Sequence, residues 1–384
     1  MVRNDARRNE KRHSNFNSRG RSAKILAVVV LAGAVGFGLL AVGLQIGPSR
    51  ATPGQTKLDE TTTTSGPLIY PLTGEPVTYP ATAQRPAIDI KIDDDYAARP
   101  QSGINQADVV YEEVVEGGIT RWLAVFQSQD ASVVGPVRSV RETDAQIVAP
   151  IGGLFAYSGG IPPFIADVMK TGVVDVGAST GEPGAYYRDN SRLIPDNLYT
   201  STITLRKNNT APAKAPPQLF KFLTSGSPFS APGELGIAKI TLDLSGVTTV
   251  EWAWDPIAKV WDRTQGTPSV DAAGVPITAT NVIVEIVPYS NTGYIDPAGN
   301  PVPDANTVGN GQAYVLSGGE IVKATWSKPS EFSVTKFIDS KGHQIALEPG
   351  KTWVELLPLS QPEPTCQAAQ LQSPTTTYQL SSTC

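Results

Sequence analysis

Glycine and proline divide this sequence into short segments, because the chain contains 35 Gly and 32 Pro among its 384 residues. Both residue types interrupt helices and strands, so most secondary-structure elements must be short. The segments between these breaks are rich in Val, Ile, Thr and aromatic residues, a composition typical of strands. The pattern predicts an α+β (or α/β) N-terminal domain with a mixed sheet, followed by a smaller, mainly antiparallel β domain.

One apolar segment near the N-terminus is much longer than the others. Residues 25–46 carry no charged side chain and predict a transmembrane helix, since a helix of this length spans about 33 Å. Residues 1–24 carry a net charge of +6 and predict a cytoplasmic basic tail. The expected location is therefore the cell membrane, crossed once, with the C-terminal body outside. A cleaved signal peptide is the alternative interpretation.

Composition and periodicity divide the remaining chain into four predicted parts. These are a polar linker, an N-terminal domain, a β-rich C-terminal domain and a tail, over residues 47–67, 68–225, 235–358 and 359–384. Within the N-terminal domain, Gly117-Gly118 separates two apolar runs and predicts a β-hairpin. Residues 218–223 are predicted to form a short helix.

Charge and residue content exclude several classes of function. The total net charge is −5 and the basic tail carries +6, so the remaining residues carry −11 and nucleic-acid binding is not expected. His343 is the only histidine outside that tail, which excludes a zinc site of the His/Cys type, and no cofactor is predicted. Cys366 and Cys384 are predicted to form a disulfide, with two free thiols as the alternative.

Two groups of carboxylates are weak candidates for chemistry. Asp93, Asp94 and Asp95 follow the first predicted strand and could hold a hard divalent cation, although a solvated strand end with no metal is the preferred interpretation. Glu112 and Glu116 are separated by four positions on a predicted strand, which places them on one face and makes them candidates for acid/base catalysis. An exposed polar face of the hairpin is the alternative for this pair.

Arginines give the stronger hypothesis. Arg138 and Arg141 lie in one turn-rich segment, and Arg188 and Arg192 lie in another. The planar guanidinium suits carboxylate or phosphate, so these residues are predicted to line an anion-binding cleft. The remaining predicted lining is polar side chain or glycine backbone and comprises Arg121, Ser158, Gly159, Gly160, Asn197 and Tyr199. Structural ion pairs with nearby Asp and Glu are the alternative.

Several motifs carry a resemblance to a known family. They are ARPQSGINQADVVYEEVVEGGITRWLAVFQSQ from Ala98, VGPVRSVRETD from Val134, YRDNSRLIPDNLYTS from Tyr187, and VGNGQAYVLSGGEIVKATWSK from Val308. Together they resemble the YerB-like family of exported bacterial proteins, which has no assigned activity. The resemblance implies an N-terminal domain and a smaller β-rich C-terminal domain, both outside the membrane.

The sequence therefore predicts an extracytoplasmic protein that binds anionic envelope material, such as cell-wall peptide stems or glycan. A cell-wall hydrolase or transferase that uses paired carboxylates, with or without a divalent metal, is the first alternative. A scaffold for a wall-synthesis complex is the second. The expected partners are the membrane and an anionic envelope ligand, while the sequence leaves protein partners open.

Overall fold

The computed structural model describes residues 68–181, 183–209, 213–369 and 384. The predicted basic tail, transmembrane helix and linker lie outside the described residues. In the part of the chain that is described, no helix is long and apolar enough to cross a membrane.

Short elements alternate in the first half of the chain. The helices are α1 (Pro80–Ala83), α2 (Thr143–Val148), α3 (Pro162–Lys170) and α4 (Thr202–Asn208). The strands are β1 (Ile88–Asp93), β2 (Val109–Val114), β3 (Thr120–Phe126), β4 (Leu154–Ala156), β5 (Val174–Asp175), β6 (Tyr186–Arg188), β7 (Leu198–Thr200) and β8 (Lys221–Phe222). Turns of 3-10 helix occupy Tyr96–Ala98, Ile104–Gln106 and Glu116–Gly118.

Strands make up the regular structure of the described second half. They are β9 (Leu235–Asp243), β10 (Thr249–Asp255), β11 (Val260–Gln265), β12 (Thr267–Pro268), β13 (Thr278–Ala279), β14 (Asn281–Val287), β15 (Tyr289–Ile295), β16 (Pro301–Ala305), β17 (Gly309–Ser317), β18 (Glu320–Lys328), β19 (Lys336–Ile338), β20 (Ala346–Leu347), β21 (Thr352–Pro358) and β22 (Thr365–Ala368).

One sheet runs through both halves of the chain. Its main path has the order β12-β11-β10-β9-β18-β17-β14-β21-β2-β3-β1-β4-β5. The halves meet where β21 pairs in parallel with β14 on one side and with β2 on the other. In that register Trp353 lies opposite Val110 and Glu355 lies opposite Glu112. Backbone hydrogen bonds of a single sheet therefore hold the two halves together.

The central strands are buried on both faces, and apolar clusters cover each face. Ile90, Trp122 and Trp353 belong to the cluster on one face, while Leu123 and Val354 belong to the cluster on the other. All six residues of β1 are buried, although its alternating sequence IDIKID is typical of a strand with one solvated face. Polar side chains are consequently buried in the middle of the sheet, where they need partners.

The predicted fold class is wrong, because the protein is predominantly β. Strands account for 39% of the described residues and helices for 12%. The two longest described helices, α3 and α4, contain only 9 and 7 residues. The segment predicted as a helix at 218–223 instead contains β8, which pairs with β20. The C-terminal strands continue the N-terminal sheet, so the fold is not a mixed α+β layer beside a separate β domain.

The predicted hairpin around Gly117-Gly118 is confirmed. Strands β2 and β3 pair antiparallel, with Val109 opposite Val125 at one end and Val114 opposite Thr120 at the other. The connection is the 3-10 turn Glu116–Gly118, in which both glycines have positive φ, 72° and 79°, a conformation that favours glycine.

The C-terminal segment is attached to the edge of the sheet. Strand β22 pairs antiparallel with β9, and Cys366 in β22 forms a disulfide with Cys384. Part of the predicted tail is therefore a strand.

Candidate functional site

The three consecutive aspartates at the end of β1 have separate environments. Asp93 lies beside Arg138 and Arg121, whereas Asp94 accepts hydrogen bonds from Thr120 and Gln101. Asp95 caps the 3-10 turn by accepting a hydrogen bond from the Tyr96 N–H, at 2.6 Å. Alternation along a strand sends neighbouring side chains to opposite faces. Among the described residues no group of three or more His, Cys, Asp or Glu side chains could hold a metal ion.

Three of the predicted arginines come together on the Asp93 side, and we call this the arginine cluster: Arg121, Arg138 and Arg141. Arg138 Nε lies 2.5 Å from Asp93 Oδ2, and Arg121 Nε lies 3.8 Å from Asp93 Oδ1. Arg141 donates to Glu116 Oε2 from Nη2 at 2.7 Å and from Nε at 3.0 Å. Strand β3 supplies Arg121, and the segment between β3 and α2 supplies the other two arginines.

One guanidinium group of the arginine cluster lacks a close carboxylate. Arg138 and Arg141 lie 2.5 and 2.7 Å from Asp93 and Glu116, whereas Arg121 lies 3.8 Å from Asp93. The pKa of Arg121 is lowered to about 10. Burial is the largest cause, and the neighbouring guanidinium groups of Arg141 and Arg138 add to it, while Asp93 and Glu116 oppose the shift. The buried Nε of Arg121 has no hydrogen-bond partner within the described structure. Among the described residues, Arg121 is therefore the member of the cluster with no carboxylate within hydrogen-bonding distance.

A third carboxyl group reaches the arginine cluster from a distant loop. Asp196 Oδ1 lies 3.9 Å from Arg138 Nε. Partial burial raises the pKa of Asp196 to about 6, and a hydrogen bond with Asp93 raises it as well. In mildly acidic solution Asp196 is consequently protonated in a fraction of the molecules. In these molecules Asp196 carries no charge that would attract Arg138.

The predicted glycine turn lies next to the arginine cluster. The Ser158 N–H donates to the Arg138 carbonyl at 2.9 Å, and the Val140 N–H donates to the Gly159 carbonyl at 3.1 Å. Both glycines of the turn are exposed. Gly160 has φ 155°, and a Cβ there would lie 2.2 Å from a Val140 side-chain carbon. Glycine is thus required for the close approach of these two segments.

The other predicted binding residues stabilise their own loop. Arg188 Nη1 donates to Asn197 Oδ1 at 2.6 Å. Arg192 donates to the Tyr199 hydroxyl at 2.5 Å and to the backbone carbonyls of Ala97 and Arg99 at 2.9 and 3.1 Å. The structure therefore places Arg188, Arg192, Asn197 and Tyr199 together, and Asp196 is the residue of this loop that reaches the arginine cluster.

Glu112 and Glu116 do not share a site. Strand β2 ends at Val114, so the alternation that would place both on one face does not reach Glu116. Glu112 lies on the opposite side of the sheet, where it accepts two hydrogen bonds from Arg263 Nη2 at 2.8 and 2.9 Å and one from Trp353 Nε1 at 3.2 Å. Each glutamate is therefore held by its own arginine.

Sequence reasoning missed a buried lysine between two carboxylates. Lys91 in β1 donates to Glu113 in β2 and, at 2.7 Å, to Asp144 in α2. The side chains of Lys91 and Asp144 are completely buried. The polar positions of IDIKID and VVYEEV were the available signal, because a long lysine side chain can reach a glutamate on the same face of a sheet. Here it does so across β3, which lies between β1 and β2. Asp196 and Arg263 carried no comparable signal, since their partners lie far away in the sequence.

Comparisons with known proteins match both halves of the chain to one family. Residues 72–215 match the family described as "Protein of unknown function (DUF3048) N-terminal domain", and residues 240–354 match the corresponding C-terminal domain. The chain is 27% identical over 300 residues to a Bacillus subtilis (strain 168) protein named "Putative lipoprotein YerB", covering 77% of this chain and 88% of that protein. A crystal structure of the YerB protein from Bacillus subtilis superposes with a TM-score of 0.64 at 25% identity, covering 75% of this chain and 96% of that one. The chain belongs to the YerB-like family.

Proposed function

We propose that this protein is an extracytoplasmic binding protein at the membrane surface, and that the arginine cluster binds carboxylate or phosphate groups of the cell envelope. The name of the Bacillus subtilis relative includes the word lipoprotein, which supports a location at the outer surface of the membrane. The chain beyond the basic tail carries a net negative charge. A cluster of arginines in the sheet is therefore a local departure from the charge of the rest of that region.

The observation that carries the proposal is that three guanidinium groups gather around two closely held carboxylates, Asp93 and Glu116, while the third carboxyl group, Asp196, lies 3.9 Å from Arg138. Guanidinium groups repel one another when they are buried together, and an anion relieves that repulsion. The Arg138 side chain retains 21% of its exposure, against 6% for Arg121 and 9% for Arg141. Arg138 is therefore the point at which an anion from solvent would make its first contact.

Asp196 fits the role of a competitor for the same guanidinium. Its carboxyl oxygen is 3.9 Å from Arg138 Nε, so a ligand carboxylate that approaches Arg138 more closely displaces a weak contact. The carboxylates on which an enzymatic function would depend are arranged differently. Glu112 is buried and accepts three hydrogen bonds from Arg263 and Trp353. This arrangement favours a structural role, and binding is the better-supported function.

Replacing Arg138 by glutamine is expected to weaken binding of cell-wall muropeptides with free carboxylates at least tenfold. A hydrogen bond to a charged group contributes about 1.5–3 kcal/mol, and each 1.4 kcal/mol corresponds to a factor of ten. Isothermal titration calorimetry with purified muropeptides measures the effect. Arg188→Gln is the matched control, because Arg188 is exposed and bonds to Asn197 outside the arginine cluster. Equal affinity of the wild type and a folded Arg138→Gln variant would contradict the proposal.

A further inference from the structure

A second surface feature lies on the Asp94 side of the sheet. Three adjoining clefts surround the segment 94–100, with volumes of about 470, 300 and 380 Å³. Arg99 lines all three, and Tyr96 lines two of them. Each cleft reaches the size range of small-ligand sites, about 300–1,000 Å³. The clefts share lining residues, and we call the three together the tyrosine groove.

The tyrosine groove differs from the arginine cluster in its charge. Its described lining contains three aspartates and three arginines, Asp94, Asp95, Asp189, Arg99, Arg192 and Arg263. Asp94 pairs with Arg99 at 3.2 Å, and Arg263 pairs with Glu112 at 2.8 Å. The opposite charges compensate one another locally, so the groove has no excess charge with which to select an ionic ligand.

Tyrosine rings form the walls of the groove. The Tyr96 side chain is highly exposed, at 86%, and Tyr187 is half exposed, at 49%. Tyr187 stacks on Tyr199 with ring centroids 5.9 Å apart, and Arg192 holds the Tyr199 hydroxyl. The Tyr187 ring is thus held in place by its neighbours. Little conformational entropy is lost when a ligand packs on it.

The neutral polar lining complements these rings. Gln265 accepts a hydrogen bond from Arg263 through its carbonyl oxygen at 2.8 Å, which leaves its amide nitrogen as a donor for the cleft. Thr249 and Thr267 add hydroxyl groups at exposed positions of the lining. The Thr249 hydroxyl donates to Asp243 at 2.8 Å and can still accept a hydrogen bond. A polyhydroxylated ligand can bond to all three groups, which an apolar ligand cannot do.

From this combination we propose that the tyrosine groove binds an uncharged oligosaccharide. The C–H faces of a sugar ring carry a small positive charge and pack on the negative face of an aromatic ring. The ring hydroxyls of the sugar then meet the amide and hydroxyl groups between the tyrosines. The inference goes beyond the proposed anion site, because it assigns a separate ligand to a separate surface.

Calorimetric titration with uncharged oligomers of N-acetylglucosamine, glucose and galactose tests the proposal. We expect affinity to rise with oligomer length, and Tyr96→Ala and Tyr187→Ala each to weaken binding about three- to tenfold. Tyr79→Ala is the matched control, since Tyr79 is 69% exposed and is not part of the groove lining. Arg138→Gln is expected to leave oligosaccharide binding unchanged, which separates this test from that of the arginine cluster.

Two results of the oligosaccharide titrations would overturn the proposal. One is the absence of binding to every oligosaccharide in the panel. The other is an affinity that the folded Tyr96→Ala/Tyr187→Ala double variant retains in full. A short uncharged peptide titrated in parallel adds a further check, because tighter binding of the peptide than of any oligosaccharide would assign the groove to a protein ligand instead.

Discussion

Replacing Arg263 by methionine is expected to lower the free energy of unfolding by about 3–5 kcal/mol, the usual cost of leaving a buried charge without its partner. The Arg263 side chain is 1% exposed and lies against the completely buried carboxylates of Glu112 and Asp94, at 2.8 and 3.6 Å. Its guanidinium also lies over the rings of Trp122 and Trp353, 5.1 and 5.3 Å from their centroids.

The loss should be large because Arg263 serves several acids at once. Burial raises the pKa of Glu355 well above its usual range, the nearby Glu112 raises it further, and Arg263 opposes the shift. Burial likewise raises the pKa of Asp94 to about 6 against the effect of Arg263. Methionine fills similar space without charge. The remaining buried carboxyl groups must then take up protons, or their uncompensated charge destabilises the folded state.

Urea denaturation of the wild type and the Arg263→Met variant measures the effect. Lys239→Met is the matched control, because Lys239 pairs with Glu251 at 2.8 Å while both side chains are 34% exposed, and such surface pairs contribute about 0–1 kcal/mol. The double variant Arg263→Met/Glu112→Gln should lose less than the sum of its single variants, since both members of one pair are removed. Additive losses would show that the two residues are not coupled.

Local patterns in the sequence predict the elements around the arginine cluster well. The alternation of IDIKID identifies β1, and Gly117-Gly118 identifies the turn between β2 and β3. These signals succeed because strand alternation and turn chemistry depend on neighbouring residues alone.

The sequence could not predict which faces of those strands are solvated. Alternation shows that Asp89, Lys91 and Asp93 share a face, but burial of that face depends on α2 and on strands far along the chain. The parallel pairing of β2 with β21 places Val109 opposite Thr352. Patterns among neighbouring residues cannot predict a pairing between positions so far apart in the sequence. The polar positions that predict a solvent-exposed face therefore form buried ion pairs in the structure. The two predicted domains likewise share one large sheet.

In the candidate site, too, contacts within one short segment could be predicted from the sequence, whereas contacts between distant segments could not. Arg138 and Arg141 lie within one short segment and end up in one cluster. Arg188 and Arg192 have the same residue type and similar spacing, yet their donors bond to Asn197, Tyr199 and backbone carbonyls. Guanidinium chemistry suits all of these partners, so the choice among them is set by the tertiary structure.

Replacing Glu285 by glutamine is expected to change how stability depends on pH. Glu285 is 2% exposed in the centre of the sheet, and one of its carboxyl oxygens has no hydrogen-bond partner within the described structure. Burial raises the pKa of this carboxyl from 4.5 to about 8, while Lys328 opposes the shift. Between these two pH values the unfolded chain releases the proton and the folded chain retains it.

The sign of the effect follows from this difference in bound protons. The folded state binds more protons than the unfolded state, so the free energy of unfolding of the wild type falls as pH rises from 4.5 to about 8. Glutamine cannot ionise, and the variant should therefore gain stability relative to the wild type across that interval. The gain should be on the order of 3–5 kcal/mol, at about 1.4 kcal/mol for each unit of pKa shift.

Urea denaturation at several pH values between 4 and 9 tests this expectation, with Glu75→Gln as the matched control at an exposed carboxylate. Lys328 lies in the same narrow cavity of about 20 Å³ as Glu285, and burial lowers its pKa to about 8. The lysine therefore contributes the opposite slope above pH 8, because there the unfolded chain holds the additional proton. A wild type whose stability is lowest near pH 8, and a Glu285→Gln variant without the fall below it, would establish that Glu285 stays protonated inside the sheet. Parallel pH profiles would instead show that the folded protein ionises this carboxyl as readily as the unfolded chain does.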